Sequence, residues 1–160
     1  MIKTGIGYDV HKLKKGLPLV VGGILIESSF GSIGHSDGDA LMHSIVDSLL
    51  GAAGLGDIGT FFPSDDKKWE NVESHIFLSE TNKMIKSSYN EILHLDCTVI
   101  LQKPKIGQYI PKIRKNIARI LNLKEISVSI KATTTDYLGF IGRSEGWSAI
   151  AISTISNTHE

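Results

Sequence analysis

The run from Gly34 to Gly59 constrains this chain more than any other. From Leu41 its apolar residues fall at 41, 42, 45, 46, 49, 50 and 53, the four-residue rhythm of a helix with one face on a core. Ser36 and Asp37 are expected to cap its start with short side-chain oxygens, and Gly51 or Gly54 to end it in a left-handed turn. Asp39, His43 and Asp47 recur every four residues and so share a face. At roughly 100° per residue, Asp39 and His43 sit at the edge of the apolar stripe and Asp47 lies further toward the polar side. His43 is thereby rooted on a rigid, half-buried element, which suits a ligand that must be held still. A segment serving only to pack has little use for the histidines and carboxylates gathered between His35 and Asp57. A metal site that handles an anion uses most of them.

Composition narrows the classes. The chain has 160 residues, 41% hydrophobic and 21% charged, with a formal net charge of zero. That fits one globular domain, expected over 1–160, with a core of useful size. No global basic field exists to attract nucleic acid or anionic lipid, so neither is expected as a partner. An anionic substrate must be held by local devices. The single cysteine, Cys97, excludes an intrachain disulfide and fits a reducing compartment; it reads best as a small buried hydrophobe. The first residues carry no signal or transit pattern, and no apolar run approaches the ~20 residues that span a bilayer. A cytoplasmic location is expected.

A strand over Ile2 to Val10 alternates Ile2, Ile6, Tyr8 and Val10 along one face. Asp9 and His11 then point to the other. An Asp-x-His pair at a strand end makes a ledge for zinc; a solvated Asp and His near a turn would look the same. His43 would complete three ligands with one position open, the pattern of a catalytic rather than a structural zinc. Leu17 to Ile26 reads as a hairpin turning at Gly22-Gly23, or as one strand with a bulge there, and Ser28 to Gly34 as a loop. Gly54 to Gly59 either presents backbone amides to a phosphate or is a plain glycine turn. Lys67, Lys68, Trp69 and Glu70 are expected in solvent, on the segment most apt to move.

A second helix is expected over Glu73 to Ser88, with His75 exposed. A strand over Ile92 to Leu101 should place Leu93, Leu95, Cys97, Val99 and Leu101 on one face and His94, Asp96 and Thr98 on the other. A basic turn, Gln102 to Gly107, precedes a third helix opened by Pro111 with Ile113, Ile117, Ile120 and Leu121 as its stripe. A strand over Ile126 to Ala132 runs into Thr133-Thr134-Thr135-Asp136. Those hydroxyls and the carboxylate suit phosphate oxygens and a hard cation; threonine's preference for strands explains the run as well. Trp147 to Ile155 is the last strand. The order implies α+β architecture, a mixed or antiparallel β-sheet with helices packed on one face. Apolar residues on both faces of the last strand (Ile150 and Ile152 against Ala149 and Ala151) lean toward an oligomer.

With Asp9-Val10-His11, the run His35-Ser36-Asp37-Gly38-Asp39 to His43, Gly56-Asp57-Ile58-Gly59, Phe62-Pro63 and Lys131-Ala132-Thr133-Thr134-Thr135 in place, the chain resembles the 2-C-methyl-D-erythritol 2,4-cyclodiphosphate synthase family over nearly its whole length. The resemblance implies a metal-dependent phosphorus–oxygen lyase of the non-mevalonate isoprenoid pathway. Its substrate, 4-diphosphocytidyl-2-C-methyl-D-erythritol 2-phosphate, closes on its own diphosphate and releases CMP. It also implies zinc, one per subunit, on Asp9, His11 and His43, and a second divalent ion, magnesium or manganese, beside Asp136. His35 and Thr134 would be the transition-state stabilisers. Val10 and Ser36 would join the zinc ligands at the substrate. Asp57, Ile58 and Gly59, with Phe62, Pro63, Ser64, Asp65 and Asp66, would position the erythritol and its phosphate. Leu101, Gln102, Lys103, Pro104, Lys105, Ile106 and Gly107 would take the cytidine, with Thr133, Thr134 and Thr135 on its phosphates and Phe140 and Arg143 as further contacts. Asp47 would support the site without ligating. The resemblance further implies a homotrimer around a central axis, with sites between subunits. Asp136 stands where the family usually has glutamate, one methylene longer. Two rival readings use the same residues: another zinc-dependent phosphoesterase that activates water, and a non-catalytic trimeric module whose acids and histidines only cap and solvate.

Overall fold

A computed structural model describes residues 1–34, 36–70, 72–88 and 90–157. Five strands form the main sheet: β1 (Ile2–Lys15), β4 (Phe30–Ser32), β5 (Asn90–Ile100), β6 (Val128–Thr133) and β7 (Gly146–Asn157). Their order is β4-β1-β7-β5-β6. Only β5 and β6 run parallel; the remaining neighbours are antiparallel. The sheet is therefore mixed, as expected of an α+β chain. β2 (Leu19–Val21) and β3 (Ile24–Ile26) form a separate hairpin. It turns at Gly22 and Gly23, whose φ values of 59° and 73° are the left-handed values that glycine adopts most readily.

One face of the sheet carries α1 (Ala40–Ala53), α3 (Ser74–Ser87) and α4 (Ile110–Leu121). Leu41, Ile45, Val46, Leu49 and Leu50 of α1 are fully buried against Leu95, Cys97, Val99, Trp147, Ala149 and Ala151 of the sheet and its edge. The helix approaches β1 closely because β1 has glycine on its inner face. A Cβ on Gly5 would lie 2.0 Å from the Ser48 carbonyl oxygen, and one on Gly7 1.9 Å from that of Ser44. The alternating Ile2, Ile6, Tyr8 and Val10 accordingly point away from the helices and are 43–70% exposed. Tyr8 pairs with Ile150 and Ile6 with Ile152, which makes one continuous apolar patch on the open face.

The structure corrects several expectations. α1 is capped by Asp39, which accepts from the Met42 amide; Ser36 and Asp37 stand too far upstream. Gly54, at φ 71°, ends the helix. The segment read as a loop before Gly34 contains β4. In β5 the ladder shifts register between Ile92 and His94. Ile92 therefore turns inward and Leu93 outward, 39% exposed, as a bulge dictates. Ile126 lies in a 3-10 turn ahead of β6 and is 89% exposed. Trp69 is not solvated: its ring meets Phe62 edge-on at 4.9 Å and lies 5.7 Å from Phe77. The Gly54 to Gly59 stretch, expected as a turn, ends in the short helix α2 (Ile58–Phe61), and a second short helix, α5 (Gly139–Gly142), precedes β7.

Candidate metal and substrate site

Strand period two sets Asp9 and His11 on the helix-facing side of β1, and the first turn of α1 brings His43 down onto them. The Asp9 Oδ2 atom lies 2.9 Å from His11 Nε2 and 3.0 Å from His43 Nδ1. The two ring nitrogens are 3.2 Å apart. These three residues form the one group of at least three such side chains among the described residues with donor atoms gathered closely enough for a metal, all within 4.8 Å of one another.

Chemistry supports the fit. His11 Nδ1 sits 2.9 Å from the Ile33 carbonyl oxygen, which can only accept, so Nδ1 carries the hydrogen and Nε2 turns a lone pair toward Asp9. The ring is wedged by backbone: a Cβ on Gly34 would be 3.2 Å from His11 Cε1. A carboxylate oxygen and imidazole lone pairs at these separations need positive charge among them. Tetrahedral ligands bonded at ~2.0–2.2 Å stand roughly 3.3–3.6 Å apart, only slightly wider than observed. Without an ion, ring protons supply that charge instead. Burial pushes the Asp9 carboxyl up, but hydrogen bonds from His11 and His43 together with the charge of those rings outweigh it and hold it at about 2. Burial pushes His11 down, but its hydrogen bond to Asp9, the Asp9 charge and the Ile33 carbonyl together outweigh that and raise it.

A cavity of about 250 Å³ opens on the cluster, lined by His11, Ser36, His43, Ile58, Gly59, Phe62, Ser64, Trp69 and Phe77. Asp57 caps α2 through Oδ1, which accepts from the amide and hydroxyl of Thr60, both at 2.8 Å. Asp47 accepts from the Ile58 amide at 2.7 Å and so ties the α2 turn to α1 beside the cluster. Its carboxyl is raised by partial burial. Asp66 is spent capping the turn at Lys67–Trp69. Pro63 is half-buried and Asp65 exposed, and neither lines the cavity. His35 lies outside the described residues.

A second cavity, about 840 Å³, is lined by Gln102, Lys103, Pro104, Lys105 and Thr134, residues assigned above to the substrate by resemblance, together with Leu13, Tyr137, Ser144 and the stretch Glu27 to Phe30, which the sequence did not single out. Pro104 follows a cis peptide. Leu101 and Ile106 are buried beneath this turn in the core, and Gly107 opens the next 3-10 turn. The Thr134 hydroxyl and the Asp136 carboxylate are 3.4 Å apart. Asp136 adopts φ 50° and is not part of the donor cluster. Thr133 and Thr135 are engaged with main-chain oxygens of Thr134 and Leu138. Arg143 makes a two-point pair with Glu145, at 2.8 and 3.1 Å, and Phe140 covers Gly146. The two cavities share no lining residue.

A mixed sheet backed by helices, with an Asp-His-His donor set opening on a cavity, defines an α+β chain with a group that could hold a metal ion. The model of the YgbB family matches residues 2–156, and the chain belongs to that family. A 2-C-methyl-D-erythritol 2,4-cyclodiphosphate synthase of Clostridium acetobutylicum is 49% identical over 151 residues, covering 94% of this chain and 97% of the relative. One from Clostridium botulinum is 46% identical over 155 residues, covering 97% and 100%. Among solved structures, the bifunctional IspDF of Campylobacter jejuni superposes with a TM-score of 0.93 at 40% identity over 97% of this chain, which spans 42% of that longer one. The IspF–CDP complex of Plasmodium falciparum gives 0.86 at 38% identity, with 98% and 96% covered.

Proposed function

We propose that this chain converts 4-diphosphocytidyl-2-C-methyl-D-erythritol 2-phosphate to 2-C-methyl-D-erythritol 2,4-cyclodiphosphate and CMP, as a phosphorus–oxygen lyase of non-mevalonate isoprenoid biosynthesis. The convergence of Asp9, His11 and His43 within hydrogen-bonding distance, in a chain of this family, carries the reading. An oxygen of the 2-phosphate bonds to the β phosphorus. The bond from that phosphorus to the oxygen of the CMP phosphate breaks, and its electron pair leaves with CMP. Neither water nor a protein nucleophile is consumed, so the protein's tasks are folding the polyanion and meeting developing charge.

Asp9, His11 and His43 would hold zinc, and a magnesium or manganese ion would sit near Asp136. Bound there, such ions neutralise phosphate oxygens as charge shifts between them, which a chain of zero net charge cannot do by its own field. Ile58, Gly59, Phe62 and Ser64 fix the erythritol end beside the cluster. Gln102, Lys103, Pro104 and Lys105 hold the cytidine; Thr134, with His35, donates to the phosphates. The protein works as a homotrimer, which the exposed apolar patch on β1 and β7 supports. The separate cavities then meet as halves contributed by neighbouring subunits. We place it in the cytoplasm as a single domain; no helix among the described residues is long and apolar enough to cross a membrane.

Incubation with the 2-phosphate substrate and magnesium in isotopically labelled water, followed by phosphorus NMR and mass spectrometry, tests the reading. Equal amounts of CMP and cyclic product without label from water support it. A labelled, ring-open phosphate contradicts it and leaves a hydrolase.

A further inference from the structure

Glu73, ahead of α3, makes no side-chain cap. Asp37, distant in sequence, does so instead: its Oδ2 accepts from the Ser74 amide at 3.1 Å, and its Oδ1 takes the hydrogen of the Ser74 hydroxyl. Ser74 is fully buried. The same hydroxyl oxygen lies 3.0 Å from His43 Nε2, with the Ser36 hydroxyl 3.2 Å from that nitrogen. A hydroxyl has one hydrogen to give, and a carboxylate only accepts. With its hydrogen on Asp37, the Ser74 oxygen turns a lone pair toward His43. A hydrogen on Nε2 satisfies that lone pair, the Ser36 hydroxyl being placed to donate to Ser74, 3.4 Å away, and it leaves the lone pair on Nδ1, the atom that faces Asp9 and His11.

We propose that Ser74, aimed by Asp37, is a positioning residue that sets which nitrogen of His43 is presented to the metal. It does for His43 what the Ile33 carbonyl does for His11. Outer partners of this kind hold a ligand ring in one tautomer and orientation. The inference rests on the metal reading above. A merely structural part for Ser74, capping α3, runs through its backbone amide and survives loss of the hydroxyl.

Ser74→Ala and Asp37→Asn, with Ser74→Thr as the conservative restoration, are to be compared with the parent by zinc titration against a competing chelator. Nitrogen NMR of the zinc-loaded proteins reads which His43 nitrogen carries the hydrogen. The expected result is hydrogen on Nε2 in the parent, loss of that preference in Ser74→Ala, and zinc binding weakened about 10–100-fold, with melting of the metal-free protein little changed and Ser74→Thr nearer the parent. Zinc binding in Ser74→Ala within about twofold of the parent, or a parent ring protonated on Nδ1, overturns the inference while leaving the metal site standing. A parent that binds no zinc overturns both.

Discussion

Asp39 illustrates how one side chain can serve the site without entering it. It is fully buried, caps α1 through the Met42 amide at 3.1 Å and accepts from Gly23 of the β2–β3 turn at 2.7 Å. It thus fixes the hairpin to the end of α1 that carries His43. Burial raises its carboxyl to about 6, the nearby Asp37 adding to the effect, while the backbone amides only partly offset it. Because the folded group holds its proton to higher pH than the unfolded one, its contribution to stability is greatest below about 4 and falls as pH rises through about 6. Asp39→Asn should flatten the stability profile over that interval relative to the parent. Asp39→Ala should cost about 1–3 kcal/mol through the lost cap and the stranded Gly23 amide. Denaturant unfolding at several pH values checks both. Much of the metal cluster was legible one residue at a time: period two put Asp9 and His11 together, and helical phase put His43 beside the stripe. Ser74 was not, since its partner lies 37 residues away and nothing local marks a serine at a helix start as more than a cap.

At the scale of elements, the packing of α1 on β1 decides whether the cluster can form. The alternation of Ile2, Ile6, Tyr8 and Val10 was visible in the sequence, but an apolar face is commonly the core face. Here the core face is set by what is small: Gly5 and Gly7 admit the backbone of α1, and the bulky residues turn outward. Sequence pattern reports hydrophobicity, not closeness of approach, so the direction of the sheet could not be read. The bulge that exchanges Ile92 for Leu93 escaped for a related reason, because period-two reasoning assumes an unbroken ladder. Gly7→Ala would place a methyl 1.9 Å from a main-chain oxygen, which neither element can yield without separating. It should destabilise by about 3 kcal/mol or more and, by lifting His43 away from Asp9, weaken zinc binding as well. A melting curve and a zinc titration on the same variant check the two effects together.

For the whole molecule, fold class and family were legible because five motifs follow in order along the chain, whereas the proposed assembly leaves in the sequence only an excess of apolar residues. Tyr8, Ile6, Ile150 and Ile152 lie 36–70% exposed on paired strands, a surface that suits burial between subunits. Ile6→Glu with Ile152→Lys should convert the proposed trimer to monomers in light scattering. If the two cavities meet only across subunits, turnover should fall in step with trimer content while each chain keeps its zinc. The most direct test of the account is anomalous diffraction at the zinc edge from crystals of the metal-loaded protein. One peak per chain is expected at bonding distance, ~2.0–2.2 Å, from Asp9 Oδ2, His11 Nε2 and His43 Nδ1. A metal-loaded crystal with no peak there, or with the three side chains turned to separate parts of the surface, would contradict it.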